Sequence, residues 1–425
     1  MTRFIDQSTF KLIKEIISEK DIFRMFSQWE YHRASLHGVR LLTNVEGYES
    51  KLLPLHLKKK TFEDKSRVFL QEYYDSSNIF VFSNEILSAH LDSSKIEVPV
   101  DYSLLLDSNY VGTIDLFFQG KPLGNNRGAF LSSLQHIRGH NLNTDALPYL
   151  FENAAHVEDR WDDIRRTFSN FLRFSTAVPK KDKVEYIDDI DIRIGQSEAL
   201  NIADERLKNF YFGSLESKAL EEQLLRRQRF YYILLSIVHI EHCDNGNLKE
   251  KFTKTIKILD EEMAGVALRE AIFAYLYFKN NGAVPILANL RKSIRLAGSS
   301  SEALRNISWD MFFFRLMETW ASDASRGKFF IPFFVTFDKR LAGLNEIYPI
   351  KTALFHDSQK KMVTIPVRDA SEVIDNVECN EIIKIAFSED KVKSRLERRM
   401  PPTEEFKDEM KRKECELDAV FLCNA

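Results

Sequence analysis

Cysteine is scarce, and the four present (Cys243, Cys379, Cys415 and Cys423) are scattered, with no CxxC pair and no pairing pattern. That usage argues against a zinc knuckle and fits a reducing compartment. Long apolar runs are missing too: FYYILLSIVHI, residues 230–240, falls well short of a bilayer span. The opening stretch MTRFIDQSTFKLIKEIISEK carries charges throughout, unlike a secretory signal. These absences together predict a soluble, cytoplasmic protein with no membrane partner. There is also no large excess of either charge. Sixty Lys and Arg stand against 63 Asp and Glu, for a net charge of −3. No global basic field advertises a polyanion, so any grip on nucleic acid must come from a local patch. Internal repeats and low-complexity tracts are absent.

What is present is enough for a large core. With 425 residues, 44% of them hydrophobic, the chain has room for two or three domains or for one domain with insertions. The 33 phenylalanines are spread along it and read as core packing in a helix-rich protein. NIFVFSNEIL, residues 78–87, reads as a strand running into a helix. Helical periodicity dominates from about 145 to 285. Within it VPKKDKVEYIDDIDIRIG, residues 178–195, is charged and non-periodic and reads as a loop or linker. Later come a helix capped by Ser300 or Ser301, a turn around Gly327, a strand, and short strand-like pieces such as MVTIPV. The charged tail from about 389 onward is expected to be an exposed helix or a partner-binding segment.

Two stretches share an unusual layout. In YSLLLDSNYV an apolar run, Leu104–Leu106, stops on Asp107, Ser108 and Asn109. In FFIPFFVTFD a longer one stops on Thr336, Phe337 and Asp338. Ordinary turn or cap chemistry produces such strand ends. In an open α/β sheet, however, parallel strands deliver their C-terminal ends to one crevice, where ligands bind. Asp107 and Asp338 are then candidates for one site, with Glu152 and Asp310 facing it from helices. Asp145 or Glu158 could take the place of Glu152. Four converging carboxylates repel one another unless a divalent cation neutralises them. Oxygen-only donors suit Mg²⁺ or Mn²⁺, while the scarcity of paired His and Cys argues against zinc. Such a metal can activate water for attack on a phosphodiester. Asn109 and Thr336 are placed to fix a ligand water or orient a carboxylate, and Lys339 and Arg340 to contact phosphate. Arg226, Arg227 and Arg229 beside Tyr231 and Tyr232, and Arg291, Lys292 and Arg295, read as salt-bridged helix surface rather than as an RNA grip. His136 and His140 read as structural.

LLLDSNYV resembles the opening strand of the PIN-domain nucleases. NISWDMFFFRLM followed by FFIPFFVTFDKRL resembles that family's later half, and NTDALPYLFE the helix bearing its intermediate Glu. The resemblance covers roughly residues 101–345. It implies an α/β fold with a parallel sheet flanked by helices, and metal-dependent cleavage of RNA by Asp107, Glu152, Asp310 and Asp338. The expected division is an accessory region over 1–100, a nuclease domain over 101–345 with a helical insertion at about 190–290, and a C-terminal segment over 346–425. Expected partners are RNA or another single-stranded nucleic acid and a regulatory protein, with self-association open. A toxin or defence effector fits this set. The alternatives are a catalytically inactive scaffold or nucleic-acid-binding interaction protein and, ranked lower, a phosphohydrolase with Asp107 as nucleophile.

Overall fold

The computed structural model describes residues 7–75, 78–91, 100–263, 265, 267–282, 284–322, 329–342, 344–347, 349–357, 359–398 and 406–422. Gly327 and Cys423 lie outside this set. The chain divides into two compact units. One is Met1–Phe212 with Arg315–Asn345 and Pro349–Val367; the other is Gly213–Phe314 with Glu346–Tyr348 and Arg368–Ala425.

Ten strands are described, all in the first unit: β1 (Val39–Asn44), β2 (Phe69–Glu72), β3 (Ile79–Phe82), β4 (Val100–Leu106), β5 (Thr144–Asp145), β6 (Ala177–Pro179), β7 (Ile190–Ile192), β8 (Phe329–Thr336), β9 (Ile350–His356) and β10 (Gln359–Pro366). One sheet has the order β2-β8-β4-β5. Within it β4 runs parallel to both β8 and β5, and β2 is antiparallel to β8. The fold is therefore mixed α/β with parallel strands at the centre of a sheet. The near-continuous apolar sequences of β4 and β8 follow from burial on both faces: Leu104, Leu105, Leu106, Phe333, Phe334 and Val335 are each at most 1% exposed. Pro332 is tolerated in β8 because it lies one residue past the part paired with β2.

Chain order matters more than strand count. From β4 the chain goes to β5 on one side and then returns to β8 on the other. The direction of winding thus reverses between β4 and β8, and the C-terminal ends of these two strands flank the crevice.

The other large sheet, β10-β9-β1-β3, is antiparallel throughout. Helices Gln7–Ser18 and Ile22–Tyr31 supply Ile13, Ile16, Met25 and Trp29 to a core completed by Leu41, Phe82, Leu354 and Ile365. The second helix starts where Asp21 accepts the N–H of Phe23 at 2.8 Å. The compact units thus differ from the three-part division expected from sequence. β1 pairs with β9 and β2 with β8, so segments from both sides of residue 101 share sheets.

Two local expectations are corrected. Residues 178–195 hold an antiparallel ribbon, β6 with β7, rather than only a loop. Its turn is held by Asp189, which accepts the N–H groups of Glu185 and Tyr186 at 2.9 and 3.0 Å. The charged tail is not merely solvated: helix Lys407–Phe421 buries Lys413, Leu417 and Phe421 within the helical second unit. No helix among the described residues is long and apolar enough to cross a membrane.

Candidate functional site

β4 ends at Leu106, and the Ser108–Phe118 helix begins one residue after Asp107. The strand's register sets Leu106 opposite Val335, and the Asp107 N–H donates to the Val335 carbonyl at 3.0 Å. The next residues of the two strands therefore meet side by side. Thr336 Oγ1 donates to Asp107 Oδ2 at 2.8 Å and accepts the Asp338 N–H at 3.0 Å. One buried hydroxyl thus ties both strand ends together. Asp338 in turn accepts from Arg340, through the backbone N–H at 2.8 Å and through the guanidinium Nε and Nη2 at 2.9 and 2.5 Å.

The two carboxyls are tuned in opposite directions. Asp107 is only 3% exposed. Burial, aided by the charge of Asp338, pushes its carboxyl up to about 6 against the pull of the Thr336 hydroxyl and the neighbouring N–H groups. For Asp338 partial burial is also the largest influence and acts upward, but the Arg340 guanidinium and N–H overcome it and hold the group below its ordinary value. As pH falls through about 6 a proton therefore goes to Asp107 before Asp338. Pairs of carboxyls pushed apart in this way are common where acid–base chemistry is done.

An open cleft of about 620 Å³ lies beside Asp338, lined by Ser108, Asn109, Gly112, Thr113, Leu116, Leu123, Asn126, Phe337, Asp338 and Arg340, with the buried Asp107 behind Ser108 and not in the lining. Ser108 Oγ is buried without a hydrogen-bond partner. Phe337 stacks on the fully buried Tyr110 with ring centroids 5.0 Å apart. Tyr110 is itself pinned by Ser133 through its hydroxyl at 2.5 Å. A Cβ at Gly112 would meet nothing within 4 Å, so this helical glycine leaves the cleft open rather than answering a backbone need. Gly112→Leu is therefore expected to fill the cleft while gaining up to about 1 kcal/mol of stability from helix propensity. Thermal unfolding and ligand binding by the same variant test both halves.

Of the residues expected from sequence, Asp107, Thr336, Asp338 and Arg340 form one hydrogen-bonded set, and Asn109 lines the same cleft. Lys339 is exposed and is not among the lining residues. Glu152 lies half-buried on helix Leu147–Asn153 and does not line the cleft either. Asp310 lies on helix Ser300–Ser322, in the part that belongs to the second unit. Asp145 ends the third parallel strand, where it accepts the Leu147 N–H at 2.8 Å and burial raises its carboxyl. Sequence reasoning assigned no role to Ser108, Gly112, Phe337 or the buried Asp115. Asp115 accepts Asn170 Nδ2 at 2.8 Å and Gln119 Nε2 at 2.7 Å, fixing the Ser108–Phe118 helix to helix Trp161–Ser175. Nothing in the local sequence announces a partner 55 residues away.

In the arginine clusters of the second unit Arg226, Arg291, Lys292 and Arg295 are exposed, whereas Arg227 is taken up by packing. Arg227 lies over the Trp309 ring at 4.5 Å. Tyr231 and Tyr232 are 4% and 2% exposed and bond to Glu414 and Glu262, so neither presents a face for base stacking.

The donors in the first unit are all oxygens: the Asp107 and Asp338 carboxyls, tied through Thr336, and the Ser108 hydroxyl. Two carboxylates and an unpartnered hydroxyl make an oxygen-only set of the kind that binds Mg²⁺ or Mn²⁺ through one or two carboxylates, with waters completing the shell. No family model, curated protein or solved structure matches the chain.

Proposed function

We propose that the cleft beside Asp107 and Asp338 is the active site of a metal-dependent endoribonuclease that hydrolyses RNA phosphodiester bonds. The observation that carries this reading is the Asp107–Thr336–Asp338 chain of hydrogen bonds at the reversal point of the parallel strands. Asp107 and Asp338 are the residues to hold Mg²⁺ or Mn²⁺, which when bound polarises phosphoryl oxygens and lowers the pKa of water. The protein's own groups have separate tasks. Thr336 fixes the Asp107 carboxyl, which also accepts the backbone N–H groups of Ser108 and Asn109. Asp107 exchanges a proton near pH 6. Asn109 and Arg340, on the two walls, orient a phosphate. The half-buried Phe337 offers a rigid ring on which an unpaired base can lie.

A second reading has its own observation. The Arg340 guanidinium already neutralises Asp338, as it would in an inactive scaffold whose crevice is closed by an ion pair. RNA cleavage by purified protein, with Mn²⁺ or with EDTA, separates the two. The nuclease is expected to lose at least about a hundredfold in rate on chelation, and as much in Asp107→Ala or Asp338→Ala. Cleavage that ignores both treatments rules out this site, and absence of cleavage on varied single-stranded and structured RNA favours the scaffold.

A further inference from the structure

The second unit contains a cluster of different chemistry. Its longest helix, Glu216–Cys243, carries His239 and Cys243 four residues apart and thus on one face. Helix Lys407–Phe421 brings Glu416 against them, so that a ring nitrogen, a thiol sulfur and a carboxylate oxygen all lie within 4.8 Å of one another. His239 is 7% exposed and its Nε2 is 2.5 Å from Glu416 Oε2. The other carboxylate oxygen of Glu416 accepts Arg412 Nη1 at 2.5 Å. A His–Glu hydrogen bond accounts for two members of the cluster but gives no role to the third. Cys243 is partly buried at the end of its helix and free of any disulfide. Burial first, and then the charge of Glu416, raise its thiol.

We propose that His239, Cys243 and Glu416 form a zinc-binding site that clasps the C-terminal helix to the long helix. Three ligands of N, S and O type with a fourth position for water make a donor set suited to Zn²⁺ and poorly suited to Mg²⁺ or Ca²⁺. Charge balances: one thiolate and one carboxylate neutralise the ion while His239 binds as neutral imidazole. Binding moves the two partners of the His–Glu hydrogen bond onto the metal and releases one proton, that of the Cys243 thiol, to solvent. Arg412, itself anchored on Glu409 at 2.6 Å, holds the Glu416 carboxylate from behind, as outer-shell donors commonly do. The clasp reinforces an existing dock. Buried Lys413 donates to Ser236 Oγ at 2.9 Å and to Tyr232 OH at 3.2 Å across the same pair of helices. This site is independent of the carboxylate cleft and of the ribonuclease reading.

The test uses the full chain, stripped with EDTA and exchanged into chelator-free buffer. Equilibrium dialysis with Zn²⁺ should load one ion per chain and raise the unfolding temperature. Co²⁺ in its place should give a thiolate-to-metal charge-transfer band. Cys243→Ser, close to isosteric, should abolish that band, whereas Cys415→Ser should keep it. His239→Asn and Glu416→Gln should each weaken Zn²⁺ binding by at least about tenfold, with the metal-free circular dichroism of every variant matching wild type. No stoichiometric Zn²⁺, or a band that survives Cys243→Ser, overturns the proposal. Because Asp107→Ala leaves this site intact, the Co²⁺ charge-transfer band of that variant should equal wild type's.

Discussion

Asp107→Asn should make the protein more resistant to unfolding at pH 8 than at pH 4, relative to wild type. The sign follows from burial. An aspartate ionises near 3.8 when unfolded, whereas here the carboxyl is held up to about 6. Below the lower value both states carry the proton and the group makes no pH-dependent demand. As pH rises toward 6 the unfolded chain ionises freely while the folded chain resists, so stability is lost progressively and the loss is complete above 6. Two pKa units correspond to about 3 kcal/mol. Asparagine keeps an acceptor for the Thr336 hydroxyl and has no charge to desolvate, but its buried amide donors cost about 1–3 kcal/mol where they find no partner. The absolute change at one pH is thus small. The difference between variant and wild type should move by about 2.5 kcal/mol between pH 4 and pH 8, because at pH 4 the unfolded aspartate is already partly ionised. Urea unfolding of both proteins with EDTA present, from pH 4 to pH 8, measures it. A constant offset at every pH would show that Asp107 is not the group titrating near 6. With Mn²⁺ in place of EDTA, wild type should regain the lost stability above pH 6 and Asp107→Asn should not, since a cation and a proton compete for one carboxyl.

How much of this was legible in the sequence depends on the range of the interaction. β4 and β8 are readable because a strand buried on both faces must be apolar throughout, and each ends on a conspicuous Asp. Their adjacency is also suggested by the shared layout. The sheet partners of the first hundred residues are not readable: Thr43 and Thr352, hydrogen-bonded at 2.7 Å between β1 and β9, are 309 positions apart, and no local pattern fixes such pairing. The tail misleads for a different reason. Its buried stripe is one residue per turn, Lys413, Leu417 and Phe421, and the first is a lysine whose ammonium reaches buried hydroxyls, so composition reads as solvated. HIEHC, residues 239–243, likewise shows two of the three ligands of the proposed zinc site, while Glu416 arrives from a helix that sequence left unplaced. The expected role of Arg340 shifts most. Sequence offered it only as a phosphate contact; its two-residue separation from Asp338 also allows the guanidinium to fold back onto that carboxylate.

That fold-back is why Arg340→Met distinguishes the two functional readings better than removing either aspartate. Methionine keeps most of the aliphatic stem and deletes the charge. Asp338 then loses the guanidinium that holds its carboxyl down, and its pKa should rise toward the value burial alone would set. The stability cost should be modest, about 1 kcal/mol, because the pair is part-exposed and solvent screens it. The effect on a cation should be larger and of opposite sign. A fixed positive charge beside a divalent ion is repulsive, and even at the dielectric of a protein surface its removal should be worth at least about 1.4 kcal/mol, a tenfold gain in affinity. In the nuclease, Mn²⁺ should therefore bind Arg340→Met at least about tenfold more tightly than wild type, while RNA turnover falls because a phosphate-orienting group is gone. In a scaffold closed by the ion pair, opening it should expose a carboxylate that gains no cation, and calorimetric titration of Mn²⁺ should be flat for both proteins. Tighter metal binding with unchanged cleavage would instead show that Arg340 guards Asp338 without touching substrate, moving phosphate recognition to Asn109 on the opposite wall.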